Sequence, residues 1–369
     1  MSPQARTRIL IVDDSAVMRS LLRAVVATDS GLEVAGTAAD GQSALQAMTT
    51  LHPDLVLLDV EMPIMDGLET LKKLRAGGNR APVIICSSLT QRGARVTLDA
   101  LASGASDYAA KPAAQSDREA GIRELAQELI PKIRALTQRI STVEARNREL
   151  QRAAPASAVG GRAVEVVAIG VSTGGPAALD RVLGALPGSF PVPVLIVQHM
   201  PELFTGLLAE RLNSCCRLPV REAAEGNAVR PGSVWIARGN WHMEVRAPAD
   251  STAAPTIHLT QSPAVNHCRP SVDVLFGSLA AVYGESVLAV ILTGMGSDGL
   301  AGCRKLRSAG SMVIAQDQAT STVWGMPGAV TAAGLANRVL RLDAIGPEIV
   351  RLAGRSTREP ATAAPGSVA

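Results

Sequence analysis

Short apolar runs alternate with amphipathic stretches through the first third of the chain. The runs predict strands, and apolar residues at helical spacing predict helices between them. The predicted strands are 8–12, 32–38, 55–58 and 83–87, and the predicted helices are one carrying Val17 to Val25, then 42–51, 67–74 and 96–102. Such alternation is the sequence pattern of a doubly wound parallel sheet. We therefore predict an α/β domain over residues 1–112.

A charged segment at 113–161 follows and is predicted to be a mainly helical linker. Its apolar residues recur every three or four positions: Ile122, Leu125, Leu129, Ile133, Leu136, Ile140, Val143 and Leu150. Pro131 is expected to end one helix and begin a second. From Ile133 to Leu150 the spacing resembles heptads, and this stripe favours docking on a neighbouring domain, with self-association as a short coiled coil as the alternative. The Ala-, Pro-, Ser- and Gly-rich end of the segment, 153–161, predicts a flexible joint.

A second alternating pattern covers 162–350. Apolar runs at 164–169, 193–197 and 287–292 predict buried strands, each followed by a polar or glycine-rich turn. We predict a second doubly wound α/β domain here. The Ala-, Pro- and Ser-rich tail at 356–369 is expected to be disordered.

Composition narrows the class of protein. A chain of 369 residues suits about two domains of ~150 residues each. Aromatic residues make up only 2%, so aliphatic side chains must build both cores. The net charge of +3 argues against nucleic-acid binding and membrane insertion. Five cysteines without metal-ligand spacing, no signal peptide and no apolar run near about 18 residues predict reduced thiols in a cytoplasmic protein.

Polar side chains collect at the predicted strand ends of the first domain. They are Asp13, Asp14, Asp59, Ser87 and Lys111. The carboxyl ends of parallel strands meet at one edge, where the carboxylates would repel one another without a cation. Oxygen ligands of this kind suit Mg²⁺. One carboxylate can then accept a phosphoryl group, whose oxygens the lysine and the serine hydroxyl would bind.

These residues and their neighbours resemble a two-component response-regulator receiver domain. The resemblance rests on 12–15, 59–67, 87–88 and 108–112. It implies that Asp59 is the phosphoacceptor. It also implies that Asp14, Asp59 and the backbone carbonyl of Glu61 bind Mg²⁺, with Asp13 acting through water. Ser87 and Tyr108 would be the switch pair that responds to phosphorylation, beside the phosphate-binding Lys111.

Three residues of the second domain likewise follow predicted strands: Ser172, His199 and Asp298. Ser172 lies in a G-x-S-x-G sequence, which also fits a turn that only caps a helix or binds a phosphate. A hydroxyl nucleophile needs a base, and the base needs an orienting carboxylate. The competing bases are His242, His258 and His267, of which His242 is the strongest. The order Ser, His, Asp differs from that of α/β-hydrolases, which leaves a serine hydrolase of another fold or no hydrolase.

The second domain resembles the catalytic domain of CheB-like chemotaxis protein-glutamate methylesterases. The matching stretches include 198–201, 231–237, 269–276 and 315–327. By this resemblance Ser172 is the nucleophile, His199 the general base and Asp298 its carboxylate. The Met295 N–H would be an oxyanion donor, and no cofactor is expected in this domain. A receiver followed by this domain is the architecture of the family.

The resemblance implies a phosphorylation-activated methylesterase and glutamine deamidase. Its partners would be the cytoplasmic domains of chemoreceptors and a chemotaxis histidine kinase. Arg238 and Glu202 occupy positions where the family usually has proline, which bears on substrate preference. The alternatives are a hydrolase that acts on another protein and a phospho-dependent adaptor without esterase activity.

Overall fold

The computed structural model describes residues 6–88, 90–112, 117–137, 163–248 and 253–354. The chain separates into two units, Met1–Val159 and Gly160–Ala369. No helix within the described residues is both long enough and apolar enough to cross a membrane.

The first unit contains a five-stranded parallel sheet. Its strand order is β2-β1-β3-β4-β5, with β1 (Thr7–Val12), β2 (Leu32–Ala38), β3 (Leu55–Asp59), β4 (Val83–Ser87) and β5 (Asp107–Ala110). The helices are α1 (Ala16–Ala27), α2 (Gly41–Leu51), α3 (Gly67–Ala76), α4 (Gln91–Ala102) and α5 (Arg118–Thr137). Every strand and helix predicted for this domain is present, and the doubly wound parallel sheet is confirmed.

Four helices of this unit begin at a side chain that accepts a backbone hydrogen bond from the first turn. The caps are Ser15, Asp40, Asp66 and Thr90. Each satisfies an N–H group that has no partner within the helix. Ser15 and Asp66 lie only a few residues beyond β1 and β3, so the caps also fix the loops at the sheet edge.

Helix α5 differs from the prediction. Pro131 lies inside one continuous helix rather than at the start of a second one, so that prediction is wrong. Leu125, Leu129 and Ile133 are buried in the same core as the residues of β1 and α1. Burying each such side chain stabilises by roughly 1.5–3 kcal/mol, which offsets the ~3 kcal/mol cost of an interior proline. The predicted linker therefore begins with a helix of the first unit.

The described part of the stripe belongs to the core of the first unit itself, and docking of the 133–150 stripe on a neighbouring domain stays a prediction. Ile122 and Leu136 also pack against this core. An ion pair between Arg134 Nε and Asp29 Oδ2, at 2.6 Å, joins α5 to the loop after α1. The stripe residues beyond 137, the predicted joint and the predicted disordered tail lie outside the described residues.

The second unit contains a seven-stranded parallel sheet in the order β14-β13-β12-β6-β7-β9-β8. Its strands are β6 (Val166–Val171), β7 (Val194–Gln198), β8 (Val220–Glu222), β9 (Val234–Ile236), β12 (Val287–Ile291), β13 (Met312–Gln316) and β14 (Arg338–Leu340). Strands β10 (His242–Arg246) and β11 (Thr256–Thr260) form a separate antiparallel pair. The predicted parallel α/β fold is confirmed, with β6 between β7 and β12.

The helices of this unit follow the strands in the order expected for a parallel sheet. They are α6 (Gly175–Gly184), α7 (Glu202–Cys215), α8 (Val272–Tyr283), α9 (Leu300–Ser308), α10 (Met326–Ala332) and α11 (Leu342–Ala353). Among the largest fully buried side chains of the described residues, only Phe204 and Phe276 are aromatic. Aliphatic residues therefore fill both cores, as the composition predicts.

Candidate functional sites

The predicted acidic residues of the first unit meet at the carboxyl edge of its sheet. Asp13 follows β1 and Asp59 ends the adjacent β3, and both side chains are buried. Lys111 Nζ lies 2.8 Å from Asp13 Oδ2 and 2.7 Å from Asp59 Oδ2. Asp13, Asp14 and Asp59 each offer a carboxylate oxygen within 4.8 Å of the others. The structure thus brings together the lysine and all three aspartates.

Burial governs the charges of this cluster. Burial raises the pKa of Asp59 above its ordinary value, although the contact with Lys111 opposes the rise. Burial alone would lower the pKa of Lys111. Its hydrogen bonds to Asp13 and Asp59 and their charges have the larger effect, so the pKa rises above its ordinary value and the ammonium stays charged. A single lysine therefore faces two buried carboxylates, and the cluster favours an additional cation.

The donor set fits Mg²⁺. Apart from the ion pair with Lys111, Asp13 Oδ2 is a buried oxygen with no hydrogen-bond partner. Oxygen ligands from carboxylates are those that Mg²⁺ prefers. The Glu61 N–H lies 3.5 Å from Asp59 Oδ1, so Glu61 is at the cluster, and its side chain forms an ion pair with Arg92. The role of the Glu61 carbonyl stays a prediction.

The predicted switch residues lie on the two strands at the β4–β5 edge. Ser87 is buried, and its hydroxyl donates to the Ser88 carbonyl at 3.3 Å. Tyr108 is also buried, and burial raises its pKa well above the ordinary value. Lys132 Nζ donates to the Tyr108 carbonyl at 2.6 Å and lies 5.0 Å from the centre of the Tyr108 ring. The sequence interpretation missed Lys132 because it assigned α5 to the linker.

In the second unit, sheet register places Ser172 and His199 at neighbouring strand ends. Val171 pairs with Gln198, and the His199 N–H donates to the Val171 carbonyl at 3.1 Å. On the other side of β6, the Ser172 N–H donates to the Thr293 carbonyl at 3.0 Å. The loops after β6, β7 and β12 therefore meet. No hydrogen bond among the described residues involves the Ser172 hydroxyl, so it does not hydrogen-bond to His199 in this structure.

His199 and Asp298 are in direct contact. His199 Nε2 lies 2.8 Å from Asp298 Oδ2, and the Asp298 side chain is buried. Burial lowers the pKa of His199, but the hydrogen bonds and charges of Asp298 and Cys268 together outweigh burial and raise the pKa to about 9. Burial raises the pKa of Asp298, but the contact with His199 and the hydrogen bonds from Asn266 and the Val272 N–H together lower it to about 2. The carboxylate thus stabilises an imidazolium and occupies Nε2, so a proton transfer at this ring would use Nδ1.

Neutral donors hold Asp298 in place. Its Oδ1 accepts hydrogen bonds from Asn266 Nδ2 and Ser271 Oγ, each at 2.8 Å. Its Oδ2 accepts from the Val272 N–H at 2.7 Å. Val272 is the first residue of α8, and a helix N-terminus favours a negative charge. Ser271 is recognisable in the sequence as the residue before an apolar helix, whereas no sequence signal indicated Asn266.

The competing histidines have other roles or positions. His242 is fully buried; its Nδ1 accepts from the Ser271 N–H at 3.2 Å and its Nε2 lies 3.1 Å from the Pro263 carbonyl. His258 Nδ1 lies 3.0 Å from Glu225 Oε1. His267 takes a left-handed backbone conformation with φ of 62°. Of the four histidines compared, the contact with Asp298 belongs to His199.

The β12–α9 loop approaches Ser172 closely. A Cβ added at Gly294 would lie 2.8 Å from Ser172 Cβ, so this close approach requires glycine. The next residue, Met295, has an N–H that takes part in no hydrogen bond among the described residues. On the other side, Gly174 caps α6 with φ of 77°. Both features are compatible with an oxyanion site, and the assignment to Met295 remains a prediction.

Two contacts in the second unit were not predicted. Cys268 Sγ lies 3.7 Å from His199 Nδ1, although the cysteines carried no recognisable spacing. The two unusual residues Glu202 and Arg238 pair with each other, with Arg238 Nε 2.8 Å from Glu202 Oε1. The Arg238 guanidinium also lies 5.8 Å from the centre of the Trp241 ring. The two departures from the family pattern thus form one ion pair.

A receiver-type sheet joined to an α/β unit with a Ser, His, Asp arrangement defines a response regulator with a hydrolytic domain. The response regulator receiver domain family model matches residues 9–123, and the CheB methylesterase model matches 167–349. The chain belongs to the CheB methylesterase family. Both resemblances found in the sequence are confirmed.

Individual relatives match this chain over nearly its full length. The chain is 46% identical to a protein-glutamate methylesterase/protein-glutamine glutaminase of Trichodesmium erythraeum, over 94% of this chain and 99% of the relative. It is 48% identical to a protein-glutamate methylesterase/protein-glutamine glutaminase of Nocardioides sp., over 94% of this chain and 96% of that relative. Among solved structures, the CheB methylesterase catalytic domain of Thermotoga maritima is 42% identical to this chain, with a TM-score of 0.50. The match covers 52% of this chain and 99% of the Thermotoga domain.

Proposed function

We propose that the chain hydrolyses glutamate γ-methyl esters and deamidates glutamines on the cytoplasmic helices of chemoreceptors. The observation that carries this is the His199–Asp298 contact beside Ser172 at adjoining strand ends. The names of its relatives support the substrate class. A chemotaxis histidine kinase would control the activity through the receiver, in the cytoplasm.

The reaction uses Ser172 as the nucleophile. Its Oγ forms a bond to the ester carbonyl carbon while His199 Nδ1 takes the hydroxyl proton, because Asp298 holds Nε2. The carbonyl electrons move onto oxygen, where the Met295 N–H stabilises the charge. Collapse breaks the carbon–oxygen bond, and methanol leaves with the proton from His199. Water, deprotonated by His199, then releases the carboxylate and restores Ser172. With glutamine as substrate, ammonia leaves instead.

The receiver uses Asp59 as the phosphoacceptor. Asp14, Asp59 and the Glu61 carbonyl, with Asp13 acting through water, would hold Mg²⁺, which would supply positive charge to balance the phosphoryl oxygens. Lys111 already contacts Asp59 and Asp13, so its ammonium is in place to neutralise phosphoryl oxygens. The buried Ser87 hydroxyl donates to an oxygen of the phosphoryl group on Asp59. Tyr108, which is also buried, changes position together with Ser87 when Asp59 is phosphorylated. Phosphorylation then raises esterase activity.

Methanol release from methylated receptor fragments tests both domains. We expect release by the full chain to increase with a small phosphodonor and to vanish in Ser172→Ala. A wild-type chain that releases no methanol under either condition would contradict the substrate assignment. Fluorophosphonate labelling then separates the alternatives: a labelled Ser172 indicates a hydrolase for another protein, and an unlabelled Ser172 indicates an adaptor.

A further inference from the structure

Cys268 and His199 lie at the separation of two ligands of one metal ion. Cys268 Sγ is 3.7 Å from His199 Nδ1. A tetrahedral Zn²⁺ with a sulfur ligand at ~2.3 Å and a nitrogen ligand at ~2.1 Å places those two ligand atoms about 3.6 Å apart. The observed separation of the two atoms therefore matches that of two ligands of one such ion.

Asp298 supplies the outer support that metal-binding histidines need. A ligating histidine commonly donates its other ring N–H to a carboxylate, which fixes the tautomer and strengthens the ligand. Here Asp298 Oδ2 lies 2.8 Å from His199 Nε2 and leaves Nδ1 for the metal. Asp298 itself is occupied by Asn266, Ser271 and the Val272 N–H, so it stays an outer partner.

The loop that carries Cys268 is fixed to the same site. Reciprocal hydrogen bonds between Val265 and Cys268, at 3.1 and 2.9 Å, close a tight turn. Asn266, inside this turn, donates to both Asp298 and Asp273 at 2.8 Å. The Cys268 side chain is only partly buried, so an ion from solvent can reach it.

The chemistry of the ligands selects the ion. Two groups of residues within the described ranges offer three possible metal ligands each: Asp13, Asp14 and Asp59, and the group His199, Cys268 and Asp298. The first presents oxygen alone and suits Mg²⁺, whereas thiolate and imidazole select Zn²⁺ and similar ions. The two sites of one chain therefore differ in metal class.

We propose that Cys268 Sγ and His199 Nδ1 bind a thiophilic divalent cation such as Zn²⁺, and that this ion reversibly inhibits the esterase. Two coordination positions remain for water or substrate. Inhibition rests on the proposed function, because the ion occupies the nitrogen that must accept the Ser172 proton. Binding itself does not depend on Ser172.

Cobalt titration of the full chain tests binding without any activity measurement. We expect wild type and Ser172→Ala to develop a thiolate-to-cobalt charge-transfer band, and Cys268→Ala to lack it. Cys216→Ala is the matched control, because Cys216 is also partly buried but belongs to neither group of ligands, and it should keep the band. The acidic receiver site has no thiolate and cannot give this band. Its absence in wild type, or its persistence in Cys268→Ala, would overturn the proposal.

Zinc inhibition of methanol release tests whether an ion bound at Cys268 and His199 inhibits the esterase. Each variant is compared with its own rate in chelator, with excess Mg²⁺ present. Half-inhibition of Cys268→Ala should require at least about tenfold more Zn²⁺ than that of wild type, since even outer-partner losses cost ~10–100-fold in metal affinity. Equal sensitivity of the two proteins would contradict inhibition through this site. A Cys268-dependent cobalt band in a chain that releases no methanol supports the metal site and contradicts the esterase proposal instead.

Discussion

Both sites of this chain lie at the carboxyl edge of a parallel sheet, but their charges are arranged in opposite ways. In the first unit, the buried Asp13 and Asp59 share the ammonium of Lys111, at 2.8 and 2.7 Å. In the second unit, a single carboxylate, that of Asp298, contacts His199 and accepts hydrogen bonds from several neutral donors. The first site has more negative charge than its own residues neutralise, whereas in the second the Asp298 carboxylate is matched by one imidazole and neutral donors.

The comparison shows how one architecture supports two chemistries. Parallel strands bring consecutive loops together in both units. An excess of buried carboxylate favours a cation and a phosphoryl group. A carboxylate held by fixed donors favours an imidazole base and its oriented tautomer. Changing the number of carboxylates or their partners should therefore affect each site in a distinct way.

The largest expected effect is that of Asp298→Asn. We expect methanol release to fall about ten-thousandfold, because the imidazole loses both its orientation and its counter-charge. Only neutral His199 accepts a proton, so wild-type activity should rise with pH towards the His199 pKa of about 9. Because Asp298 raises that pKa, the residual activity of the variant should reach its plateau at lower pH. A pH–rate profile of the two proteins measures both effects.

Asp273→Asn is the matched control for this prediction. Asp273 is another carboxylate that accepts from Asn266 Nδ2, but it contacts the Gly302 N–H rather than His199. We expect its pH profile to keep the wild-type midpoint. Equal shifts in both variants would show that the loop, and not the Asp298–His199 contact, sets the pKa.

Asp59→Asn should remove stimulation by a phosphodonor. The ratio of methanol release with and without the donor should fall to about one, because an amide cannot form the acyl phosphate. Asp66→Asn is the control, since Asp66 caps α3 through the Glu69 N–H at 2.7 Å and asparagine caps equally well. Stimulation that survives in Asp59→Asn, or is lost in Asp66→Asn, would place the phosphoacceptor elsewhere.

Gly294→Ala should loosen the second site without changing any titratable group. The new Cβ would lie 2.8 Å from Ser172 Cβ. Overpacking of this kind destabilises by about 1–3 kcal/mol. Urea unfolding measures the stability, and methanol release should fall with it while the pH profile keeps its midpoint. Gly184→Ala has nothing within 4 Å of its added Cβ and should be tolerated. An equally stable and active Gly294→Ala would contradict the close approach.

The smallest effect concerns the Glu202–Arg238 pair. Both side chains are 42% exposed, so solvent screens the pair and its coupling should stay below ~1 kcal/mol. Unfolding of Glu202→Ala, Arg238→Ala and the double variant gives that coupling. If the pair acts on substrate preference, the single variants should change KM for receptor fragments more than kcat. Unchanged KM in both would leave the pair a surface contact.

Much of this structure follows from local sequence patterns. Apolar runs located β1, β3, β6 and β7, and the residues just past them are the ones that meet at the sheet edges. Local pattern failed at Pro131, because tertiary burial outweighed the cost of proline inside α5. It also failed at Asn266 and Cys268, which lie in an irregular loop and reach His199 and Asp298 only through long-range folding. Periodicity carries no information about such contacts.

The most direct measurement follows the rate at which a fluorophosphonate labels the full chain, with the modified residue identified by mass spectrometry. We expect the label on Ser172, faster labelling with a phosphodonor in wild type but not in Asp59→Asn, and much slower labelling in Asp298→Asn. That result would link both sheet-edge sites to one nucleophile. A label on any other residue would contradict the proposed catalytic and regulatory roles. So would a labelling rate that stays the same in Asp59→Asn with phosphodonor and in Asp298→Asn as in wild type.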